Sequence, residues 1–212
     1  MYKLIQLLVI ILLLLAVVGK GWTQVDQELF HAGLKAGINS SNVYGGIGQD
    51  FSSDAKYGWV AGGFVSIPLW EHFGLQPEIL LSQKGFEATG SLLDAPYQLK
   101  RTTTYLDIPV FIALKTNSYL TILVGPQFSY LLSQKDELAA SPFSVQQQQI
   151  VATDQIRENI IGVVIGLDVQ VKRVVFSVRS GWDAMQNNKD VTSLTPRYKN
   201  IWLQATVGFR II

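Results

Sequence analysis

The sequence predicts an all-β protein, an eight-stranded antiparallel up-and-down transmembrane β-barrel preceded by a cleaved signal peptide. Three observations lead to this fold. Apolar and polar residues alternate with a period of two in eight segments, the connections between the segments are alternately short and long, and only 16% of residues are charged. Soluble domains carry about 25% charged residues. The chain therefore has too little charge to cover an ordinary water-facing surface.

The first 24 residues have the layout of a secretory signal peptide. Lys3 provides a positive start, residues 7–18 form an unbroken apolar run, and small and polar residues follow. The run is shorter than the roughly 20 residues that a membrane-spanning helix needs. We therefore expect a signal peptide at 1–24 and a barrel domain at 25–212, and an uncleaved membrane anchor is the alternative.

The alternation identifies eight candidate strands. They are 32–40, 57–69, 73–84, 103–115, 119–132, 159–171, 174–183 and 198–212. In the last strand, apolar residues occupy the odd positions from Ile201 to Ile211, while Gln204, Thr206 and Arg210 share the other face. A tilted strand crosses a bilayer in about 9–11 residues. An even number of strands suits a closed barrel, which leaves no strand edge bare in lipid.

The connections indicate the orientation. Short connections at 70–72, 116–118 and 172–173 alternate with long ones at 41–56, 85–102, 133–158 and 184–197. Bacterial outer-membrane barrels have short periplasmic turns and longer outer loops. We therefore expect a bacterial outer-membrane protein with both termini in the periplasm. Loops 41–56 and 133–158 are the candidate contact sites for a protein or surface ligand, since binding residues often lie on loops.

The polar face of the strands is rich in Gly, Ser, Thr and Gln and carries few charges. Those that we expect to form a structural polar network in the lumen are Lys35, Glu78, Asp107, Asp168, Arg179 and Arg210. The interior of an eight-stranded barrel is just wide enough for side chains to fill it. A ligand-binding or conducting lumen is the alternative reading of these charges. A soluble periplasmic lipocalin-like carrier is a further alternative, with the apolar face inside the barrel.

Aromatic residues lie near the strand ends on the apolar face. Trp59, Tyr130 and Trp182 fall at the predicted outer end, and Phe73 and Phe209 at the inner end. Barrels in outer membranes carry aromatic girdles at both interfaces. These five residues are therefore the predicted interfacial girdle.

Several strings in fixed order resemble a known family. They are the segments 33–39 (GLKAGIN), 62–64 (GGF), 75–85 (LQPEILLSQKG), 105–109 (YLDIP) and 125–128 (GPQF). Together they resemble the PorT-like outer-membrane β-barrel family of Bacteroidetes, over residues 32–212. The resemblance implies an eight-stranded outer-membrane barrel. It offers, as an alternative function, an accessory component of a protein secretion or gliding machinery, and it brings no catalytic residues with it.

The sequence contains no recognisable catalytic or metal-binding cluster. It has no cysteine, and its two histidines, His31 and His72, have no partner at metal-ligand spacing. A net charge of +1 gives no basic footprint for nucleic acid. The predicted function is a non-enzymatic integral outer-membrane barrel without cofactors, in contact with outer-membrane lipid. Its role is structural, or it binds through its long loops.

Overall fold

The computed structural model describes residues 30–44, 52–92, 95–140, 143–149, 157–187 and 198–211. These residues form nine strands. They are β1 (His31–Tyr44), β2 (Ser52–Pro68), β3 (Phe73–Leu92), β4 (Ala95–Lys115), β5 (Leu120–Ala140), β6 (Phe143–Gln149), β7 (Asn159–Val171), β8 (Val174–Asp183) and β9 (Lys199–Arg210). The predicted signal peptide at 1–24 lies outside the described residues.

Eight of these strands form a closed ring. Each strand pairs antiparallel with its neighbours in the order β1, β2, β3, β4, β5, β7, β8 and β9, and β9 pairs with β1. Strand β6 stands outside the ring and pairs with residues 134–140 of β5. Closure satisfies the backbone hydrogen-bonding groups of every ring strand, which a lipid environment demands. The predicted eight-stranded antiparallel barrel is confirmed.

The apolar face of the strands points outward. In β7 buried and exposed residues alternate strictly from Asn159 to Val169, and the exposed set includes Ile161, Ile165 and Leu167 at 43–47% exposure. The matching faces of β1, β8 and β9 are also exposed, as at Leu34, Phe176 and Val207. A soluble carrier would bury this face, so the lipocalin-like alternative is wrong.

Five strands, β1 to β5, run further than their alternation predicted, and three predicted loops are more than half strand. β3 and β4 stay paired as far as Leu92 and Ala95, so most of the predicted loop 85–102 is a paired hairpin. The predicted loop 133–158 contains the end of β5 and all of β6. The predicted loop 41–56 gives residues 41–44 to β1 and 52–56 to β2. The alternation of apolar and polar residues marks only the lipid-facing band of each strand. The hydrogen-bonded pairing of backbones continues wherever a partner strand is available.

The two ends of the barrel differ. The turn end carries residues 69–72, 116–119 and 172–173, together with the start of β1 and the end of β9. There the Asn117 side-chain oxygen accepts hydrogen bonds from the backbone N–H groups of Tyr119 and Leu120. Lys172 has a φ of 55°, which lets two residues reverse the chain between β7 and β8. The hairpin end lies opposite, where β3–β4 and β5–β6 extend beyond the ring. Across the described ranges, no helix is long and apolar enough to cross a membrane.

Candidate functional site: the filled barrel and its hairpin end

A cluster of four charged side chains occupies the interior towards the turn end. Glu78 on β3 accepts from Lys35 on β1 at 2.7 Å and from Arg179 on β8 at 3.1 Å. Arg179 also pairs with Asp168 on β7 at 2.5 Å. The side chains of Lys35, Glu78 and Arg179 are at most 1% exposed. Two cations face two anions, so the cluster is neutral, which is the condition for keeping charges in a low-dielectric interior.

Gln76 and Phe111 complete this level of the barrel. The Gln76 amide nitrogen donates to Glu78 at 2.9 Å and to Asp168 at 3.1 Å, which ties the two carboxylates together. The Arg179 guanidinium lies 5.0 Å from the centre of the Phe111 ring. Cation–π contact of this kind is attractive when the cation is removed from water.

A second neutral pair lies closer to the hairpin end. Lys84 on β3 binds Asp107 on β4 at 2.9 Å, and both side chains are 2% exposed. Ser82 donates to the same carboxylate. The Lys84 ammonium also lies 4.9 Å from the Trp202 ring centre. This pair therefore crosses from the β3–β4 wall to β9 on the other side of the lumen.

A third group closes the interior at the hairpin end. Arg101 makes two parallel hydrogen bonds of 2.8 Å to the Asp136 carboxylate and one of 3.1 Å to the Tyr198 hydroxyl. Its guanidinium lies 5.9 Å from the ring centres of both Phe86 and Tyr198. The two rings meet edge to face at 5.0 Å. Arg101 is thus held by charge and by aromatic contact at once.

The structure places five of the six expected lumen residues inside the barrel, in two groups. Lys35, Glu78, Asp168 and Arg179 come together, whereas Asp107 joins Lys84. Arg210 is not brought into either group. It lies half-buried at the turn end and makes no ion pair with any residue the structure describes, and its Nε is without a hydrogen-bond partner there. Arg210 lies near the end of β9, so its side chain reaches the opening of the barrel at the turn end and not the packed interior.

Sequence reasoning missed four interior charges. One is Asp183 at the end of β8, a buried carboxylate that accepts hydrogen bonds from the backbone and side-chain N–H groups of Asn200. Lys84 shares the even-numbered face of β3 with Glu78, so the parity of the strand was a sufficient signal. Arg101 and Asp136 lie in segments that were assigned to loops. The inward parity of Asp107, continued backwards along β4, would have reached Arg101. No signal of this kind pointed to Asp136, because a register shift in the β4–β5 ladder changes the parity of β5 before it.

The five predicted girdle residues lie on the outer surface. Trp59, Phe73, Trp182 and Phe209 are 38–52% exposed, and Tyr130 is partly buried. Additional exposed aromatic residues flank them. Tyr44 and Tyr57 lie towards the hairpin end, and Trp70 and Tyr119 lie in the turns at the other end.

The turn end has a polar vestibule of about 320 Å³. Its lining includes both histidines, His31 and His72, together with Glu71, Lys115 and Arg210. No group of three or more His, Cys, Asp or Glu residues suited to a metal ion occurs in the described segments. Both histidines of the sequence therefore lie at the turn end.

A closed barrel with an apolar outer face and a filled polar interior is an integral membrane β-barrel. The family model described as outer membrane protein beta-barrel domain matches residues 22–186 of the chain. The chain belongs to this family, and its place is the bacterial outer membrane.

Several solved outer-membrane barrels are similar in fold. Ail, the attachment invasion locus protein of Yersinia pestis, in complex with the heparin analogue sucrose octasulfate, is 13% identical with a TM-score of 0.48, covering 86% of this chain and 99% of Ail. Neisserial surface protein A is 10% identical with a TM-score of 0.46, covering 85% of this chain and 96% of that protein. OprG from Pseudomonas aeruginosa is 10% identical with a TM-score of 0.40, covering 86% of this chain and 94% of OprG. No curated protein matches the chain by sequence.

Proposed function

We propose that this protein is a non-enzymatic, non-conducting outer-membrane barrel that binds a partner through its hairpin end at the cell surface. The single observation that carries the proposal is the contrast between the two parts of the molecule. The interior is filled with neutral clusters of charged and aromatic side chains, whereas β3, β4 and β5 continue as paired strands well beyond the lipid-facing band. A filled barrel serves as a rigid support, and binding residues are commonly carried by extensions of such supports.

The orientation follows from the connections. Outer-membrane barrels place short turns in the periplasm and long connections outside. The turn end, with both termini, is accordingly periplasmic, and the hairpin end is extracellular. Residues 1–24 are removed as a signal peptide in this proposal.

The extracellular part is substantial. From Leu81, the last strongly exposed apolar residue of β3, to Leu92 there are eleven residues. At roughly 3.3 Å per residue the strand continues for about 36 Å. Strands β3, β4, β5 and β6 lie side by side there, so the protein presents a small sheet rather than separate loops. The sheet includes residues 133–140 and 143–149 of the predicted contact loop 133–158, so partner contact by this sheet keeps that prediction and adds the β3–β4 hairpin to it.

The experiment compares two tagged variants in intact cells. A short epitope inserted between residues 93 and 94 is expected to be detected by antibody on unbroken cells, whereas the same epitope between Lys172 and Arg173 is detected only after lysis. The purified barrel in a planar bilayer is expected to give no ion current. Detection of the second tag on intact cells, or a steady conductance in the bilayer, would refute the proposal.

Partner binding is tested by shortening the hairpin. Residues 88–99 are removed, because Ala88 pairs with Leu99 and the remaining ladder keeps its register. The variant is expected to fold, as judged by its heat-dependent migration on a gel, but to lose cross-links formed with surface proteins on intact cells. Unchanged cross-links would exclude the β3–β4 hairpin from the binding surface.

The PorT-like strings favour a surface partner that belongs to a secretion or gliding machinery. This role rests on the resemblance alone. Deletion of the protein without effect on secretion or gliding would reject it and would leave the binding proposal standing.

A further inference from the structure

The outer surface of β3, β4 and β5 changes character in regular steps towards the hairpin end. The cross-strand partners in the first row are Leu81, Leu106 and Tyr130, which end the apolar band. The second row is uncharged and polar, with Gln83, Thr104 and Ser133. It lies two residues further along β3 and β4 and three residues further along β5, where the register shifts. The third row contains Gly85, Thr102 and Lys135, and the fourth contains Glu87, Lys100 and Glu137.

Lys56 on β2 belongs to the third row. Its side chain lies across Gly85, where a Cβ atom would stand 3.2 Å from the Lys56 Cδ, and its ammonium donates to the Thr102 hydroxyl. The third row thus carries two cations and no acid. The absence of a side chain at Gly85 makes room for Lys56 on the surface.

The acids of this surface lie one row further from the apolar band. Lys100 binds Glu87 at 3.3 Å, and Lys135 binds Glu137 at 2.7 Å, in exposed pairs. Exposed pairs of this kind contribute little and are easily exchanged for another anion. Lys56 has a hydroxyl partner but no ion pair among the described residues. Burial is the first cause of the lowered pKa of Lys56 and repulsion from Lys100 is the second, whereas Glu87 and Glu137 act in the opposite direction.

The third row stands just beyond the headgroup layer, within reach of its lysine side chains. Two steps of two residues, at roughly 3.3 Å per residue and a tilt of 35–45°, put it about 10 Å beyond the last apolar row. The polar interface of a bilayer extends roughly 5–8 Å beyond each side of the hydrocarbon core. Lysine side chains reach back towards that layer.

We propose that Lys56, Lys135 and Lys100, with the Thr102 hydroxyl, bind the phosphate group of an anionic glycolipid in the outer leaflet of the outer membrane. The inference rests on the proposed orientation, which brings the hairpin end to that leaflet. The acyl chains of the same lipid pack on the exposed apolar face below, and the phosphate reaches the cationic row. The acids of this surface, Glu87 and Glu137, belong to the fourth row, so the row nearest the lipid contains only cations among its charged residues.

The experiment uses the full barrel, purified from outer membranes, in phosphatidylcholine nanodiscs. Diphosphorylated lipid A, its dephosphorylated form, or phosphatidylglycerol is added, and lipid retained on the protein is measured by native mass spectrometry. The test variant is Lys56→Gln with Lys135→Gln. Lys199→Gln is the matched control, because Lys199 lies near the same end on β9, away from this surface. Heat-dependent gel migration shows that each variant is folded.

Wild-type protein is expected to retain diphosphorylated lipid A in preference to the other two lipids. One lysine near an anionic surface corresponds to about a fivefold change in affinity, so the double variant should bind about thirtyfold more weakly. The control should bind as wild type does, and Glu137→Gln should bind more tightly because a competing acid is gone.

The first three results that would overturn the proposal come from lipid retention. They are equal retention by the double variant, equal retention of the dephosphorylated glycolipid, and equal retention of phosphatidylglycerol, which would make the surface unselective. Displacement of the glycolipid by an equal concentration of inorganic phosphate would also overturn it, because the site would then take free phosphate. The tag experiment reports the orientation separately. A 93–94 tag found in the periplasm, together with intact lipid A binding, would therefore refute the proposed orientation and function. The contacts of the lysines with the lipid phosphate would still stand.

Discussion

Replacing Glu78 with glutamine tests whether the interior charges stabilise the barrel as a neutral unit. Glu78 is 1% exposed and accepts from both Lys35 and Arg179. The Glu78→Gln variant keeps the size of the side chain and an acceptor oxygen, but it leaves two buried cations against the single anion Asp168. The change therefore alters the charge balance with little change in packing.

The magnitude follows from the burial of the cluster. Removing one partner of a buried ion pair costs about 3–5 kcal/mol, because the remaining charge is desolvated without compensation. The double variant Lys35→Met, Glu78→Gln restores neutrality, with Arg179 facing Asp168 at 2.5 Å. It should recover more than half of the free energy of unfolding lost in the single variant. The exposed Lys100–Glu87 pair is the control, and Glu87→Gln should cost at most about 1 kcal/mol.

The assay is denaturant unfolding of the barrel in lipid vesicles, followed by tryptophan fluorescence and by heat-dependent gel migration. Equal slopes in the wild type and the variants would show that the midpoints report stability. A loss below about 1 kcal/mol for Glu78→Gln would refute the reasoning, since that is the range of exposed pairs. A double variant no more stable than the single one would show that lost contacts, and not unbalanced charge, cause the effect.

Two further predictions concern individual positions. Gly37→Ala should prevent folding or strongly destabilise the barrel, because the new methyl group would overlap the Ala205 carbonyl oxygen. Gly63→Ala is the control, since its methyl group meets the nearest atom at 3.5 Å. A heat-modifiability gel should show that this control variant folds normally. Lys100→Gln should raise the pKa of Lys56, because repulsion from Lys100 lowers it in the wild type. Amine titration by NMR measures this shift. An unchanged Lys56 pKa would mean that burial alone accounts for the lowered value.

The Lys56 shift also fixes the sign of a pH effect. A lysine whose pKa is lowered in the folded protein binds its proton less tightly there than in the unfolded chain. Charged Lys56 therefore lowers the free energy of unfolding at low pH. This loss is relieved as the pH rises from the folded pKa of Lys56 to 10.5, the ordinary lysine value. Because Lys56 is only partly buried, water screens the effect and keeps it small.

The lipid-facing part of the fold could be predicted from single segments. Period-two alternation in β7 and β9 reports which residues meet lipid, and this is a local property of an extended chain. The same parity identified Glu78, Asp168 and Arg179 as interior residues. The turn at 172–173 was also predictable, since two residues suffice to join neighbouring antiparallel strands.

The sequence by itself determined the class of fold, the apolar outer face and the inward direction of the interior charges. Side-chain direction along a strand alternates from one residue to the next, so it can be read locally. The tertiary structure alone decided that Lys35 meets Glu78 across 43 residues, that Asp107 turns to Lys84, and that Arg210 stays at the mouth. Strand register and closure of the ring set those distances. The extension of β3, β4 and β5 beyond the lipid-facing band was decided in the same way. The outward side chains there are polar, so the alternation of apolar and polar residues stops although the paired backbone continues.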